Sequence, residues 1–232
     1  MSYRYALYLV PPATHPLWAA GCRWLGRDAE TGETLPPPTL PGVDSAQWER
    51  VVGAPRRYGL HATLKAPFRL ADGCDETQLA TALENFAATT APFALPPLRV
   101  CALASFICLR PHGESQALQA LADACVAGFD RFRAPPAAAE LERRRPAQLD
   151  ARARYLLEHW GYPHVFDRFH CHITLTDTLA EPQRGALLAP LTAHFAPLLA
   201  TPLPVRELAL FVEDSPGVPF RLARRFALGN AL

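Results

Sequence analysis

The hydrophobic and polar positions of this chain switch repeatedly between period two and period 3.6. Residues 4 to 10 carry a short strand pattern that stops at Pro11-Pro12. An amphipathic helix follows from about 15 to 26, with Leu17, Trp18, Cys22, Trp24 and Leu25 on or near one face. Residues 28 to 57 are rich in Gly, Pro, Thr and acidic residues, including Pro36-Pro37-Pro38, and read as a long connection with one turn of helix near Trp48. A connection of that length is either a plain surface excursion or a binding loop or lid. The pattern then predicts a strand at about 60 to 70 and a helix opened by Asp75 that runs to about Thr89. Two β segments between Arg99 and Arg110 are joined near Ala104-Ser105, and Ser115 to Phe132 is helical.

Ala134 to Gln148, with Pro135-Pro136 and the charged run Glu140 to Arg145, reads as a connection containing a helical piece. Its three arginines fit a solvated face or a basic rim. The second half predicts a helix from about Asp150 to Trp160, the turn Gly161-Tyr162-Pro163, a strand at about 169 to 176 and a helix from about Glu181 to Phe195. It closes with a hairpin of Val205 to Glu213 and Pro219 to Leu228. Strands alternate with helices, but tight turns and short connections sit together, which favours α+β with antiparallel pairing over a doubly wound parallel sheet.

The strongest signal is a phrase that occurs twice, His61-Ala62-Thr63-Leu64 and His172-Ile173-Thr174-Leu175, each inside a β-rich run. Residues i and i+2 of a strand point to the same face about 6.7 Å apart. Each copy therefore sets one imidazole beside one hydroxyl and turns Ala62 or Ile173 the other way. An ordinary hydrogen-bonded core histidine explains either copy alone; an internal duplication explains the pair. Two such units facing each other offer a base, an acid and two hydroxyl donors to one small anion, which is equipment for phosphoryl chemistry without a metal. Lys65, two positions past Thr63, would share that face by the same period and become a further phosphate contact. His170 shares the face of His172, which opens a second reading in which His61, His170 and His172 hold a metal ion. No carboxylate accompanies either motif in register, which weighs against it, and no cofactor is expected. His15, His112, His159, His164 and His194 read as structural.

Composition narrows the functions further. The 232 residues are 50% hydrophobic and 19% charged, with a net charge of +1. This is a globular chain without the general cationic field that long nucleic acid requires, so no extended nucleic-acid footprint is expected. No apolar run approaches the ~18 residues that span a bilayer, and no leader pattern opens the chain. The expectation is a cytoplasmic protein with no membrane association, whose six scattered cysteines are reduced; its oligomeric state is not legible.

Two His-x-Thr units on strands resemble the two-histidine (2H) phosphoesterase superfamily, which includes bacterial 2′-5′ RNA ligases and cyclic nucleotide phosphodiesterases. Further stretches, Arg4-Tyr5-Ala6-Leu7-Tyr8, Trp24-Leu25-Gly26-Arg27-Asp28, Tyr58-Gly59-Leu60-His61 through Arg69-Leu70, Phe129 through Pro135 and Trp160-Gly161-Tyr162-Pro163, make nearly the whole chain similar to one branch of it. The genes of that branch accompany operons for phosphonate use. The resemblance implies a bilobal α+β fold, a single domain with lobes of about 1 to 133 and 134 to 232. Two pseudo-symmetric antiparallel sheets with flanking helices would surround a central cleft lined by both motif strands. It also implies metal-independent chemistry on a small cyclic phosphate or phosphodiester, including a nucleotide or a ribosyl cyclic phosphate from phosphonate metabolism. Carried over by motif, His61 and His172 are the acid–base pair, and Thr63 and Thr174 bind phosphate. One departure is His170, where the branch has Arg.

Two rival functions remain beside a phosphodiesterase: a non-catalytic binder of a phosphorylated ligand, and a 2′-5′ RNA ligase-like activity. The histidine pair favours an enzyme, since binding alone is served as well by Arg or Lys.

Overall fold

A computed structural model describes residues 3–137, 141 and 149–229. In chain order the first half comprises β1 (Arg4–Leu9), α1 (Pro16–Leu25), α2 (Ser45–Val51), α3 (Gly53–Tyr58), β2 (Ala62–Phe68), α4 (Glu76–Thr89), β3 (Phe93–Leu95), β4 (Leu98–Leu103), β5 (Phe106–Pro111) and α5 (Gln116–Gly128). The second adds α6 (Ala151–Trp160), β6 (Ile173–Thr174), α7 (Glu181–Leu199), β7 (Leu203–Val205), β8 (Glu207–Glu213) and β9 (Arg221–Ala227). Short 3-10 turns occupy Asp130–Phe132 and Phe166–Arg168.

The class is α+β. Seven strands form one antiparallel sheet in the order β4-β5-β6-β2-β1-β8-β9, and β3 pairs with β7 in a separate two-stranded ribbon. The seam is the β2–β6 contact, where Ala62 faces Ile173. Each side of the seam mixes both halves of the sequence: β4 and β5 flank β6, whereas β8 and β9 extend from β1. The two sheets implied by the resemblance are thus joined edge to edge into one.

The helices form where the sequence supplies caps. Asp75 accepts from the Gln78 amide while Gln78 reaches back to the Asp75 amide, a capping box that opens α4. His15 accepts from the Leu17 amide and Gly26, at φ 74°, closes α1. α4 lies on β8 and β9, α5 on β2, and α7 on β4 and β5 with α1 against it. Trp24 is fully buried, and its indole donates to the Leu175 carbonyl at 2.7 Å, tying α1 to the last residue of the second motif.

Two elements differ from the sequence expectation. The strand expected over 169 to 176 shrinks to Ile173–Thr174, because the chain enters from a 3-10 turn with Phe166 at φ 53° and pairs only once it has crossed between β5 and β2. The connection 28 to 57 holds two short helices rather than one turn. Trp48 is buried and donates to the Trp24 carbonyl at 2.7 Å, Arg56 lies 4.5 Å over its ring, and Asp177 receives the Ala54 amide at 3.2 Å. Ala54 and Pro55 of this segment line the cleft described below. Most of the charged run Glu140 to Arg145 lies outside the described residues.

Candidate active site

The β2–β6 register decides the arrangement. With Ala62 opposite Ile173 in an antiparallel pair, Thr63 falls opposite His172 and His61 opposite Thr174. Ala62 and Ile173 point into the core, 1% and 3% exposed, and the four polar side chains share the other face and line one cleft of about 380 Å³. Each imidazole thus faces the other motif's hydroxyl. The two imidazoles are diagonal neighbours, which sheet geometry separates by about 7–8 Å. The strands lie side by side in one sheet rather than across a gap between two.

Both rings are held in the same way. His61 Nδ1 lies 2.9 Å from the Gly59 carbonyl, and His172 Nδ1 lies 2.7 Å from the His170 carbonyl. A carbonyl only accepts, so each Nδ1 carries the proton, and Nε2 remains as the nitrogen available to the cleft. Two residues before each histidine the backbone thus fixes its tautomer, and Gly59, at φ 77° with Ala29 filling the space a Cβ would need, allows the first such turn. Burial pushes the His61 imidazole down to about 4; its bond to Gly59 opposes that shift and His172 reinforces it. Burial also lowers His172, with Arg110, His164 and His170 adding to the effect. Both imidazoles are therefore held neutral at neutral pH.

Lys65 is not in the cleft. It is 3% exposed, and its ammonium donates to the Val126 carbonyl at 3.0 Å and to Asp130 at 3.1 Å. The reason is a β-bulge. Tyr8 pairs with Thr63 but Leu7 pairs with Lys65, so Leu64 is an extra residue and the period of two is broken. Lys65 is turned to the face that packs on α5, where burial lowers its pKa and Asp130 opposes the shift. Lys65, expected to contact phosphate, is instead a buried structural cation on the opposite face of the strand.

Cross-strand neighbours supply groups that a period within one segment does not show. Tyr8 on β1 stacks on His61 with ring centres 3.8 Å apart, and Phe106 on β5 lies 5.5 Å from His172. Arg4, Tyr58 and Tyr162 also line the cleft. A second, more apolar hollow of about 320 Å³ adjoins it, sharing Thr63, Phe106, Tyr162 and His172 and adding His164 and His170. His164, expected to be structural, thus belongs to the neighbourhood of the site. Among the described residues no three His, Cys, Asp or Glu side chains gather as a metal-holding group, so His61, His170 and His172 are not assembled as ligands. No helix among the described residues is long and apolar enough to cross a membrane.

Fold and site define an α+β protein with a duplicated His-x-Thr cleft. Residues 63–221 match a family model described as "Protein of unknown function (DUF1045)", and the chain belongs to that family. It is similar to two curated proteins named ribose 1,5-bisphosphate phosphokinase PhnN. The one from Janthinobacterium sp. (strain Marseille) is 38% identical over 221 residues, 94% of this chain and 49% of that protein. The one from Laribacter hongkongensis (strain HLHK9) is 42% identical over 222 residues, 95% of this chain and 51% of that protein. The chain spans about half the length of these relatives. Among solved structures it is similar to E. coli LigT complexed with 3′-AMP, with a TM-score of 0.48, 16% identity and coverage of 98% of this chain and 99% of that one. TT0787 of Thermus thermophilus gives a TM-score of 0.45 and 17% identity, with 97% and 98% covered.

Proposed function

We propose that the chain is a phosphoesterase that hydrolyses a small cyclic phosphate or phosphodiester, nucleotide or ribosyl, with His61 and His172 as the acid–base pair and Thr63 and Thr174 as donors to the phosphoryl oxygens. The observation that carries this reading is the four-residue patch, in which two imidazoles of fixed tautomer and two hydroxyls line one cleft. One neutral Nε2 takes the proton of water. The other imidazole, protonated once an anion sits beside it, gives a proton to the leaving oxygen. The hydroxyls hold the equatorial oxygens as charge builds on them. No step requires a metal or cofactor, since base, acid and donors are all side chains of this chain.

The kinase name of the curated relatives is not carried over. Lys65 is the only lysine in the sequence, and it stands in Thr63-Leu64-Lys65-Ala66, so no Gly-Lys-Ser/Thr step of a phosphate-cradling loop occurs here. A ligand-sensing role is the other outcome of the test. Turnover of a panel of cyclic phosphates is measured with wild type and His61→Ala, with and without chelator. Wild-type turnover that survives chelation and is lost in His61→Ala is expected. Binding without turnover would leave a sensor in front, and turnover restored only by zinc or manganese would bring back the metal reading.

A further inference from the structure

Toward the other end of β1 from Tyr8, the cleft is lined by a cationic side chain that the proposed chemistry does not use, Arg4. Arg4 precedes Tyr8 by four residues on β1, so the two side chains share a face about 13 Å of strand apart. Tyr8 covers His61, and Arg4 lines the same cleft. Arg4 is held rather than free. Its Nε donates to Glu213, its neighbour across the β1–β8 pair, and its guanidinium lies 5.4 Å over Phe220 and 5.6 Å over Tyr3. Arg57 donates to the other oxygen of Glu213, and its own Nε is buried without a hydrogen-bond partner among the described residues.

A plain structural ion pair needs one cation for one carboxylate. Here two guanidiniums share one, and the carboxylate is out of reach of any ligand: Glu213 is 0% exposed and also accepts the Gly217 amide at 3.1 Å. What this end offers to the cleft is therefore a positioned guanidinium with its charge only half compensated. The acidic residue that does line the cleft, Asp177, is engaged by the Ala54 and Thr178 amides.

We propose that Arg4 is a second anion-binding residue of this cleft, and that the substrate carries, besides the phosphodiester, another phosphate or carboxylate elsewhere on its frame. The proposal rests on reading the His-x-Thr patch as the phosphodiester site. Glu213 fixes the Arg4 guanidinium in one orientation, and Arg57 supplies the surplus charge that lets Arg4 engage a ligand without abandoning Glu213.

Calorimetric titration with adenosine 3′-monophosphate and adenosine 3′,5′-bisphosphate separates this role from a structural one. Wild type is expected to bind the bisphosphate about tenfold or more tightly than the monophosphate. Arg4→Gln is expected to lose that margin and keep its affinity for the monophosphate within about twofold. Because Arg4→Gln leaves a buried carboxylate with one partner, the double variant Arg4→Gln, Glu213→Gln, which also removes the buried charge, carries the same expectation if the single variant fails to fold. Equal wild-type affinities, or a loss in both ligands alike, would overturn the proposal. The phosphodiester reading stands or falls separately, on whether wild type turns over any cyclic phosphate.

Discussion

At the residue scale the two histidines and two threonines occupy equivalent places but carry unequal shares of the proposed chemistry. Removing His61 or His172 takes away a proton-transfer group worth ~10²–10⁴-fold in rate. Thr63→Val or Thr174→Val removes one hydrogen bond to a charged oxygen, about 1.5–3 kcal/mol, or roughly 10–10²-fold. Steady-state kinetics should therefore show a larger kcat loss in either histidine variant than in either threonine variant; the reverse order would place the threonines, and not the imidazoles, at the centre of the reaction. The pH profile follows from burial. A base must be deprotonated and an acid protonated, so kcat/KM rises as pH passes the lower of the two pKa values and falls past the higher. His61 sits at about 4, and His172 is also held below the ordinary value. The bell for the free enzyme should lie on the acid side of ~6.5, with the low-pH limb absent in His61→Ala. A kcat profile displaced to higher pH should accompany it, because bound phosphate favours imidazolium. Stability should show the same group from the other side: between about 6.5 and 4 the unfolded chain binds more protons than the folded one, so stability falls as pH drops through that window.

At the element scale, what was legible in the sequence and what was not divide along strand pairing. The repeated His-x-Thr phrase placed His61 with Thr63, and His172 with Thr174, because a period of two acts within a strand. The helix start at Asp75 and the joint near Ala104 are likewise local signals. Period two puts Lys65 on the cleft face, and the structure differs because a bulge depends on which residues of β1 stand opposite; nothing in residues 61 to 68 announces Leu64 as the extra one. Tyr8 and Arg4 went unrecognised for the same reason: their relation to the site crosses between strands. Lys65 now has a structural role that can be measured. Its ammonium satisfies the Val126 carbonyl and Asp130, while Arg133 also holds Asp130 at 2.7 and 3.1 Å. Lys65→Met leaves that carbonyl unpaired but keeps Asp130 partnered, so a cost of about 1–3 kcal/mol is expected. For a chain of this size that is a Tm lowered by roughly 2–4 °C per kcal/mol, with KM for a phosphate substrate within about twofold of wild type. A tenfold rise in KM at unchanged Tm would return Lys65 to the cleft.

At the scale of the whole molecule, the strand order binds the two halves of the sequence into one sheet. β6 from the second half lies between β5 and β2 of the first, and β8 from the second half lies against β1. Neither half keeps its hydrogen-bonded neighbours alone: without residues beyond 134, β1 loses β8, and β2 and β5 lose the strand between them. The site shares this dependence, since each motif's histidine faces the other motif's threonine. Backbone amides and carbonyls left unpaired at such a seam are costly when buried, so the halves should not separate as independent units before the core opens. Urea unfolding followed by far-ultraviolet circular dichroism, by tryptophan fluorescence and by the affinity for a bound phosphate should give one coincident transition. Fluorescence is a useful reporter because Trp24 and Trp48 belong to the first half, and Trp24 is bonded to the Leu175 carbonyl of the second. Two separated transitions, with helical signal from 134 to 229 persisting after the first, would show that the seam is a contact between independent lobes and that the site is assembled by docking rather than by folding.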